Sequence, residues 1–334
     1  MKTRSIVGGI VGALLLLPLA ACGSDSGSGS DGGGDGNVDQ TDGIDTDLPD
    51  GGPQRIVAQS TVAAALTQLG LGDRIVGTFG PLNGPDGGVD SQANGLDPES
   101  VTDVTGAGDY GDIDEEKVAE LDPDLVITSS YLEGDYWYMA TNIHDSLAKR
   151  YDIVAVSYDG LDLVEQLDAV EELAGELGAD LESSEVTDGR AAFEAASATA
   201  TTLGQQLTAA GKTAVAVSGS TDSYYVSNPA VSADLNYWVE TLGLPIVVPD
   251  NPDPQGYFET LSWEESDKYN ADLALYDDRQ GEAGLEALKA QPVFATITAA
   301  QNNAFTPWTS VYPATYAEAA TLLNRFTTAA QGLL

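Results

Sequence analysis

Residues 161–211 read LDLVEQLDAVEELAGELGADLESSEVTDGRAAFEAASATATTLGQQLTAAG. Leu163, Leu167, Val170, Ala174 and Leu177 recur every three or four positions, which places them on one face of a helix. Gly178 breaks the run. Val186, Phe193, Ala196, Ala200, Leu203 and Leu207 then resume the spacing as far as Gly211, a residue suited to the left-handed position that closes a helix. From Ser184 to Ala210 the second helix is about 40 Å long at roughly 1.5 Å per residue. That length overshoots one small lobe and spans two. On both sides the chain alternates short β-branched runs with helical runs, the pattern of α/β units. The expected fold is therefore α/β, with two α/β lobes joined by one long connecting helix.

Working outward, the N-terminal lobe is expected over 53–160, the helical connector over 161–211 and the C-terminal lobe over 212–334. Strands are expected near Arg55–Gln59, Arg74–Gly77, Val101–Thr105, Leu125–Thr128 and Ile153–Ser157. In the second half they are expected near Thr213–Val217, Tyr224–Ser227, Pro245–Val248, Leu273–Tyr276 and Ala304–Thr306. Helices are expected over Thr61–Leu69, Asp114–Leu121, Thr141–Lys149, Asp234–Leu242, Ser262–Lys268, Glu282–Lys289 and Thr315–Ala330.

An internal repeat supports two lobes of one design. Tyr110, Asp114, Glu116, Asp124 and Leu125 recur, 148 positions later, as Phe258, Ser262, Glu264, Asp272 and Leu273. In each copy an aromatic residue precedes a helix cap by four. A Glu follows the cap by two, and an Asp-Leu strand entry follows it by ten. Ser262 and Glu265 also have capping-box spacing. Glu116 and Glu264 fall in the first turn of their helices, where a negative charge suits the helix dipole. Their common offset also makes them two matched negative points for docking.

The 334 residues include 53 acidic and 13 basic ones, a formal net charge of −40. Such a surface repels nucleic acid and other polyanions, so no nucleic-acid partner is expected. His144 is the sole histidine and Cys22 the sole cysteine, which excludes a multi-histidine metal site, a disulfide framework and a thiolate site. Neither a resident metal nor a cofactor is expected. Gly106-Ala-Gly108-Asp-Tyr-Gly111 fits the dinucleotide pattern G-x-G-x-x-G. Asp109, Asp112 and Asp114 would set carboxylates against a pyrophosphate there, so that reading fails.

Before the lobes, Lys2 and Arg4 open a short apolar run, Ile6 to Leu17, too short for a spanning helix. Leu19-Ala20-Ala21-Cys22 follows, which resembles the lipobox of a bacterial lipoprotein signal peptide. The resemblance implies a signal peptide over 1–21 and an acylated Cys22. Residues 22–52 are Gly-, Ser- and Asp-rich and read as a disordered acidic tether. The expected location is the extracytoplasmic face of a bacterial cell membrane, held there by lipid.

In open α/β sheets, ligands sit beyond the carboxyl ends of the strands. That rule puts Tyr110, Tyr131, Arg279 and Phe258 near a shared cleft. Tyr136-Trp137-Tyr138 follow Tyr131 in one loop, and successive residues there point different ways, which makes Trp137 a ligand candidate. Phe79, Tyr225 and Trp308 complete the candidate set, with Tyr158, Trp238 and Tyr312 weaker. Arg279, one of six arginines after residue 22, is either a ligand contact or a local ion-pair partner of Asp277 or Asp278.

The run Glu116–Ile127 with its Leu-Asp-Pro-Asp-Leu-Val core, the opening Arg55-Ile56-Val57 strand, the lipobox and the long connecting helix together resemble ABC-transporter substrate-binding lipoproteins. The branch is the class III one for ferric siderophores and vitamin B12. The resemblance covers roughly 53–334 and implies two Rossmann-like α/β lobes joined by a long rigid connecting helix, with a ligand cleft between the lobes. It implies a non-enzymatic, monomeric binding protein that carries a ferric siderophore to an ABC permease, with iron present only inside the chelate. It also implies that Glu116 and Glu264 meet basic residues of the permease, and that Arg279 and Tyr131 touch the ligand. The negative field favours a neutral or cationic hydroxamate chelate. The alternatives are a corrinoid or haem in the same fold and, from a different class, a surface-anchored hydrolase.

Overall fold

The computed structural model describes residues 52–132 and 134–334. The expected signal peptide, Cys22 and the expected tether as far as residue 51 lie outside the described residues. No helix among the described residues is long and apolar enough to cross a membrane.

The first lobe runs β1 (Ile56–Gln59), α1 (Ser60–Leu66), β2 (Ile75–Phe79), β3 (Thr102–Asp103), α2 (Glu115–Leu121), β4 (Leu125–Ser130), α3 (Thr141–Leu147) and β5 (Ile153–Ser157). Its sheet has the order β3-β2-β1-β4-β5 and every neighbouring pair is parallel. Every residue of β1 and β4 is buried, as expected of central strands covered by helices on both faces. Alternate residues serve opposite layers. Ile56, Ala58, Leu125 and Ile127 pack with α1 and the connector, while Val57, Phe79 and Val126 pack with Val118, Ile143 and Leu147 of α2 and α3.

The connector holds α4 (Leu163–Glu176) and α5 (Ser184–Ala209). Asp162 caps α4 through a full capping box with Glu165. Gly178 (φ 91°) ends it in the left-handed region, as Gly211 (φ 66°) ends α5. The 26 residues of α5 confirm the long linking helix. Its apolar stripe packs against α9 (Tyr316–Gln331). At Gly204 the helix meets the Gly243 backbone so closely that a Cβ would stand 2.7 Å from the carbonyl oxygen.

The second lobe runs β6 (Ala214–Gly219), β7 (Tyr224–Ser227), α6 (Ala233–Asn236), β8 (Phe258–Leu261), β9 (Leu273–Asp277), α7 (Gly281–Lys289), α8 (Thr298–Gln301), β10 (Phe305–Trp308) and α9. The sheet order is β10-β9-β6-β7-β8. β10, β9 and β6 are parallel, and β7 and β8 are antiparallel additions at one edge. Two local expectations change here. Residues 245–248 form no strand and contribute an isolated bridge from Ile246 to Ala214. The helix expected over 262–268 shrinks to one 3₁₀ turn, Trp263–Glu265. Strand β8 is an addition to the expected set.

The repeat has a side-chain counterpart. Asp124, just before β4, accepts the backbone N–H of Arg55 at the entry to β1, at 2.8 Å. Asp272, just before β9, accepts the N–H of Thr213 at the entry to β6, at 3.1 Å, and pairs with Lys212 at 2.8 Å. In both sheets a carboxylate at the start of one central strand ties down the start of its neighbour.

The lobes meet at the first turn of α9. Thr315 Oγ1 donates to Gln68 Oε1 (2.6 Å), Asn94 Nδ2 to Glu318 Oε2 (2.8 Å) and Tyr316 OH to Asp168 Oδ1 (2.6 Å). Further along α9, Phe326 packs on Trp238 of the second lobe, ring centroids 5.2 Å apart. The lobes are thus tied by α5 and by α9 together.

Candidate functional site

A cavity of about 490 Å³ lies between the lobes. The first lobe and α4 give it Tyr131, Leu132, Trp137, Tyr158, Leu163 and Gln166; the second lobe gives the larger share of the wall, including Asp234, Phe258, Arg279, Trp308 and Tyr312.

Trp137 owes its place to the end of β4. Its N–H donates to the Ser129 carbonyl at 2.8 Å, and Thr128 Oγ1 donates to its carbonyl at 3.0 Å, which straps the loop back onto the strand. The three adjacent aromatics then go three ways. Tyr136 turns inward and stacks on His144, centroids 4.3 Å apart. Trp137 faces the cavity, edge-on to Tyr131 at 5.0 Å. Tyr138, at φ 57°, lies on Tyr110 at 4.9 Å and donates its N–H to the Tyr110 hydroxyl at 3.2 Å.

Five sequence candidates line the cavity: Tyr131, Trp137, Phe258, Arg279 and Trp308. Three do not. Phe79 ends β2 fully buried in the core beneath the sheet, because its alternation in the strand points it at the α2–α3 layer. Tyr110 is 63 % exposed and reaches the cavity only through Trp137, 6.2 Å away. Tyr225 packs on Phe258 at 5.8 Å and stands behind it. Glu116 and Glu264 are both exposed in the first turns of their helical segments. The glycine-rich run at 106–111 folds around its own acid, with Gly108 N–H on Asp112 Oδ2 at 2.8 Å.

Arg279 is an ion-pair partner of Asp277 and also stands in the cavity wall. Its Nε donates to Asp277 Oδ1 at 2.9 Å and its Nη2 to Asp277 Oδ2 at 2.5 Å, yet it also lines the cavity. The wall's other charge is Asp234. Trp308 Nε1, Ser232 Oγ and the backbone N–H of Leu235 each donate to it at 2.7 Å. Burial raises its pKa above the ordinary carboxylate value, against the pull of those three donors. The sequence presents Asp234 as the first residue of an expected helix; its partner Trp308 is 74 residues away, which no local pattern reveals.

Among the cavity's hydroxyls, those of Tyr131, Tyr158 and Tyr312 bond to no described protein group. Burial pushes all three phenols upward; at Tyr131 the nearby Arg279 pulls the other way. They therefore stay protonated and able to donate. Trp137 Nε1, Ser227 Oγ and Ser310 Oγ, on residues of the same wall, are buried with no partner among the described residues. The wall is thus mainly apolar and aromatic, its one carboxylate, Asp234, is occupied, and its open polar groups include phenol and serine hydroxyls and the Trp137 indole N–H. That composition suits a bulky ligand with an apolar shell and exposed oxygen acceptors. Among the described residues, no group of three or more His, Cys, Asp or Glu could hold a metal ion.

Two α/β lobes, a helix pair spanning them and a lined cavity at their junction define a cleft-type solute-binding protein. The chain belongs to the periplasmic binding protein family, whose model matches residues 56–312. The structure of DesE, a ferric-siderophore receptor protein from Streptomyces coelicolor, is 32 % identical, with a TM-score of 0.75 over 84 % of this chain and 92 % of that one. Two more distant structures share the fold. The siderophore periplasmic binding protein from the fuscachelin gene cluster of Thermobifida fusca is 23 % identical, with a TM-score of 0.62 over 84 % of this chain and 98 % of that one. The siderophore binding protein FhuD from Vibrio cholerae, solved with Fe3+-Desferal, is 17 % identical, with a TM-score of 0.58 over 83 % and 97 %. No curated relative matches the sequence.

Proposed function

We propose that this protein captures a ferric siderophore, of the hydroxamate type, outside the cell membrane and delivers it to an ABC permease. The observation that carries this reading is the cavity itself: aromatic walls from both lobes, with Arg279 and unpaired phenol hydroxyls among them. A hydroxamate chelate presents that complement, an apolar backbone wrapped around iron-bound oxygens that accept hydrogen bonds. Tyr131, Trp137, Phe258, Arg279 and Trp308 form the contact set, joined by Tyr158 and Tyr312. Each hydrogen bond from a charged donor such as Arg279 stabilises by roughly 1.5–3 kcal/mol, and each neutral one by about 0.5–1.5 kcal/mol. The net charge of −40 disfavours an anionic catecholate chelate. The 32 % identity to a ferric-siderophore receptor supports the same ligand class.

In this reading Cys22 carries the lipid anchor, residues 23–52 tether the domain to the membrane, and the protein works as a monomer. Glu116 and Glu264 dock on the permease, one from each lobe. The test is tryptophan-fluorescence titration of residues 53–334 with ferrioxamine B, ferrichrome, a ferric catecholate, haemin and cyanocobalamin. Trp137 and Trp308 lie in the wall, so saturable quenching by the hydroxamates is the expected result. Tighter binding of the catecholate, haemin or the corrinoid would replace the ligand, and no response to any of the five would remove the iron reading.

A further inference from the structure

Besides the α9 junction, the lobes touch at a second place, beside Arg279. The loop after β2, residues 80–95, reaches from the first lobe onto the turn between β9 and α7. Asp86 Oδ2 accepts the N–H of Glu282, in the first turn of α7, at 3.2 Å. Ser91 Oγ donates to Asp278 Oδ1 at 3.2 Å. Asp278 is held on its other side by Thr309 and by Arg325, the latter at 3.7 Å. Between these two anchor points sits Arg279, the arginine of the cavity wall.

The fit at this point is tight. Gly281 has φ 61° and ψ −164°, a combination essentially restricted to glycine. A Cβ there would stand 2.6 Å from Asp86 Oδ2. The turn is shaped to receive a side chain from the opposite lobe. Neither Asp86 nor Ser91 lines the cavity.

We propose that Asp86 and Ser91 form an interlobe clasp that positions Arg279: lobe closure fixes the 278–282 turn, and opening of the lobes frees it and loosens the grip on the ligand. The clasp makes two hydrogen bonds, each with a carboxylate acceptor, so it is strong enough to bias closure and weak enough to be undone by a partner that pulls the lobes apart. Ligand release is then coupled to lobe separation through one arginine. The ligand-binding half of this inference rests on the function proposed above; the geometry of the turn does not.

The test uses Asp86→Ala with Ser91→Ala, alongside Asp86→Asn, which keeps a carbonyl oxygen to accept the Glu282 N–H. With ferrioxamine B as probe, stopped-flow fluorescence should show the double variant releasing about tenfold faster, with association changed by less than about twofold. Asp86→Asn should restore most of the slow release, which a general loosening of the fold would not do. In parallel, amide exchange without ligand should accelerate across Arg279–Glu282 in the double variant while α1 keeps its protection. Release at the parental rate in the double variant would overturn the clasp. If ferrioxamine B fails to bind the parent protein, the proposed ligand falls and exchange decides alone: unchanged protection across Arg279–Glu282 overturns the clasp, and faster exchange confined to that turn upholds it.

Discussion

Tyr110 and Phe258 hold matched places in the two lobes, 148 residues apart, yet Phe258 lines the cavity and Tyr110 lies outside it on the surface. The difference comes from the backbone around them. In the first lobe, Thr105 and Ile113 make one isolated bridge, and the chain between them loops out with Tyr110 near its tip. In the second lobe, Phe258 opens β8, which pairs along its length with β7. That added antiparallel edge fixes the residue against the cleft. A repeat therefore preserves what the sheet needs, the Asp124 and Asp272 ties between strand entries, and lets the loops diverge. The wall of the cavity is accordingly drawn more from the second lobe than from the first.

If, as proposed, the two lobes dock on a permease through equivalent glutamates and meet the ligand unequally, reversing both charges should have the largest effect. Glu116→Arg with Glu264→Arg should abolish uptake of the ferric chelate by cells and leave affinity in solution within about twofold. A collapse of affinity instead would put these residues in the cleft. Next comes Arg279→Ala, which removes a charged donor from the second-lobe wall and strands the buried Asp277 carboxylate. Isothermal titration should show affinity for ferrioxamine B lower by about 10- to 100-fold.

The matched aromatics give a smaller and sharper contrast. Phe258→Ala should weaken binding about tenfold and Tyr110→Ala by about twofold or less. Equal losses would erase the distinction between the two copies. The smallest effect is one of pH. Burial raises the carboxyl pKa of Asp234, Asp278 and Glu318, all in or after the second lobe. Such groups bind protons more tightly folded than unfolded, so their stabilisation is fully present below the unfolded pKa and is lost as pH rises through the folded one. Burial also opposes ionisation of Glu259 and Asp272, but there the donors together, Lys268, Tyr269 and the Asn251 N–H at one and Lys212 and the Thr213 N–H at the other, outweigh it and shift both carboxyls down. What those two add is lost only on acidification below about pH 4. Calorimetry should therefore find the melting temperature declining as pH rises above the ordinary carboxylate range near about 4; a melting temperature that climbs with pH there would contradict the assignment.

The architecture was legible where local chemistry and burial agree. The stripe from Leu163 to Leu207, interrupted at Gly178 and stopped at Gly211, marked the connector, and the apolar runs at Ile56 and Leu125 marked the central strands. Strand β8 was not legible, because Phe258-Glu259-Thr260-Leu261 is short and carries a charged residue inward. Glu259 is buried only because Lys268 and Tyr269 reach back to it, a pairing that no periodicity announces. Phe79 misled for the converse reason. An aromatic residue at a strand's carboxyl end reads as a cleft residue, and only the sheet's two-sided covering shows that it faces the core. Arg279 was legible as a position, while the loop that holds its turn came from nearly 200 residues earlier.

α9 follows every other described element along the chain, and it joins Gln68, Asn94 and Asp168 of the first half to Trp238 of the second. A polypeptide emerging from a ribosome or a translocon appears N-terminal end first. The strands of both sheets all precede residues 315–331, so the braces that α9 adds to the α5 link come after them. A chain cut short before α9 would hold two sheets joined by α5 but without the Gln68, Asn94 and Asp168 ties that brace the cleft.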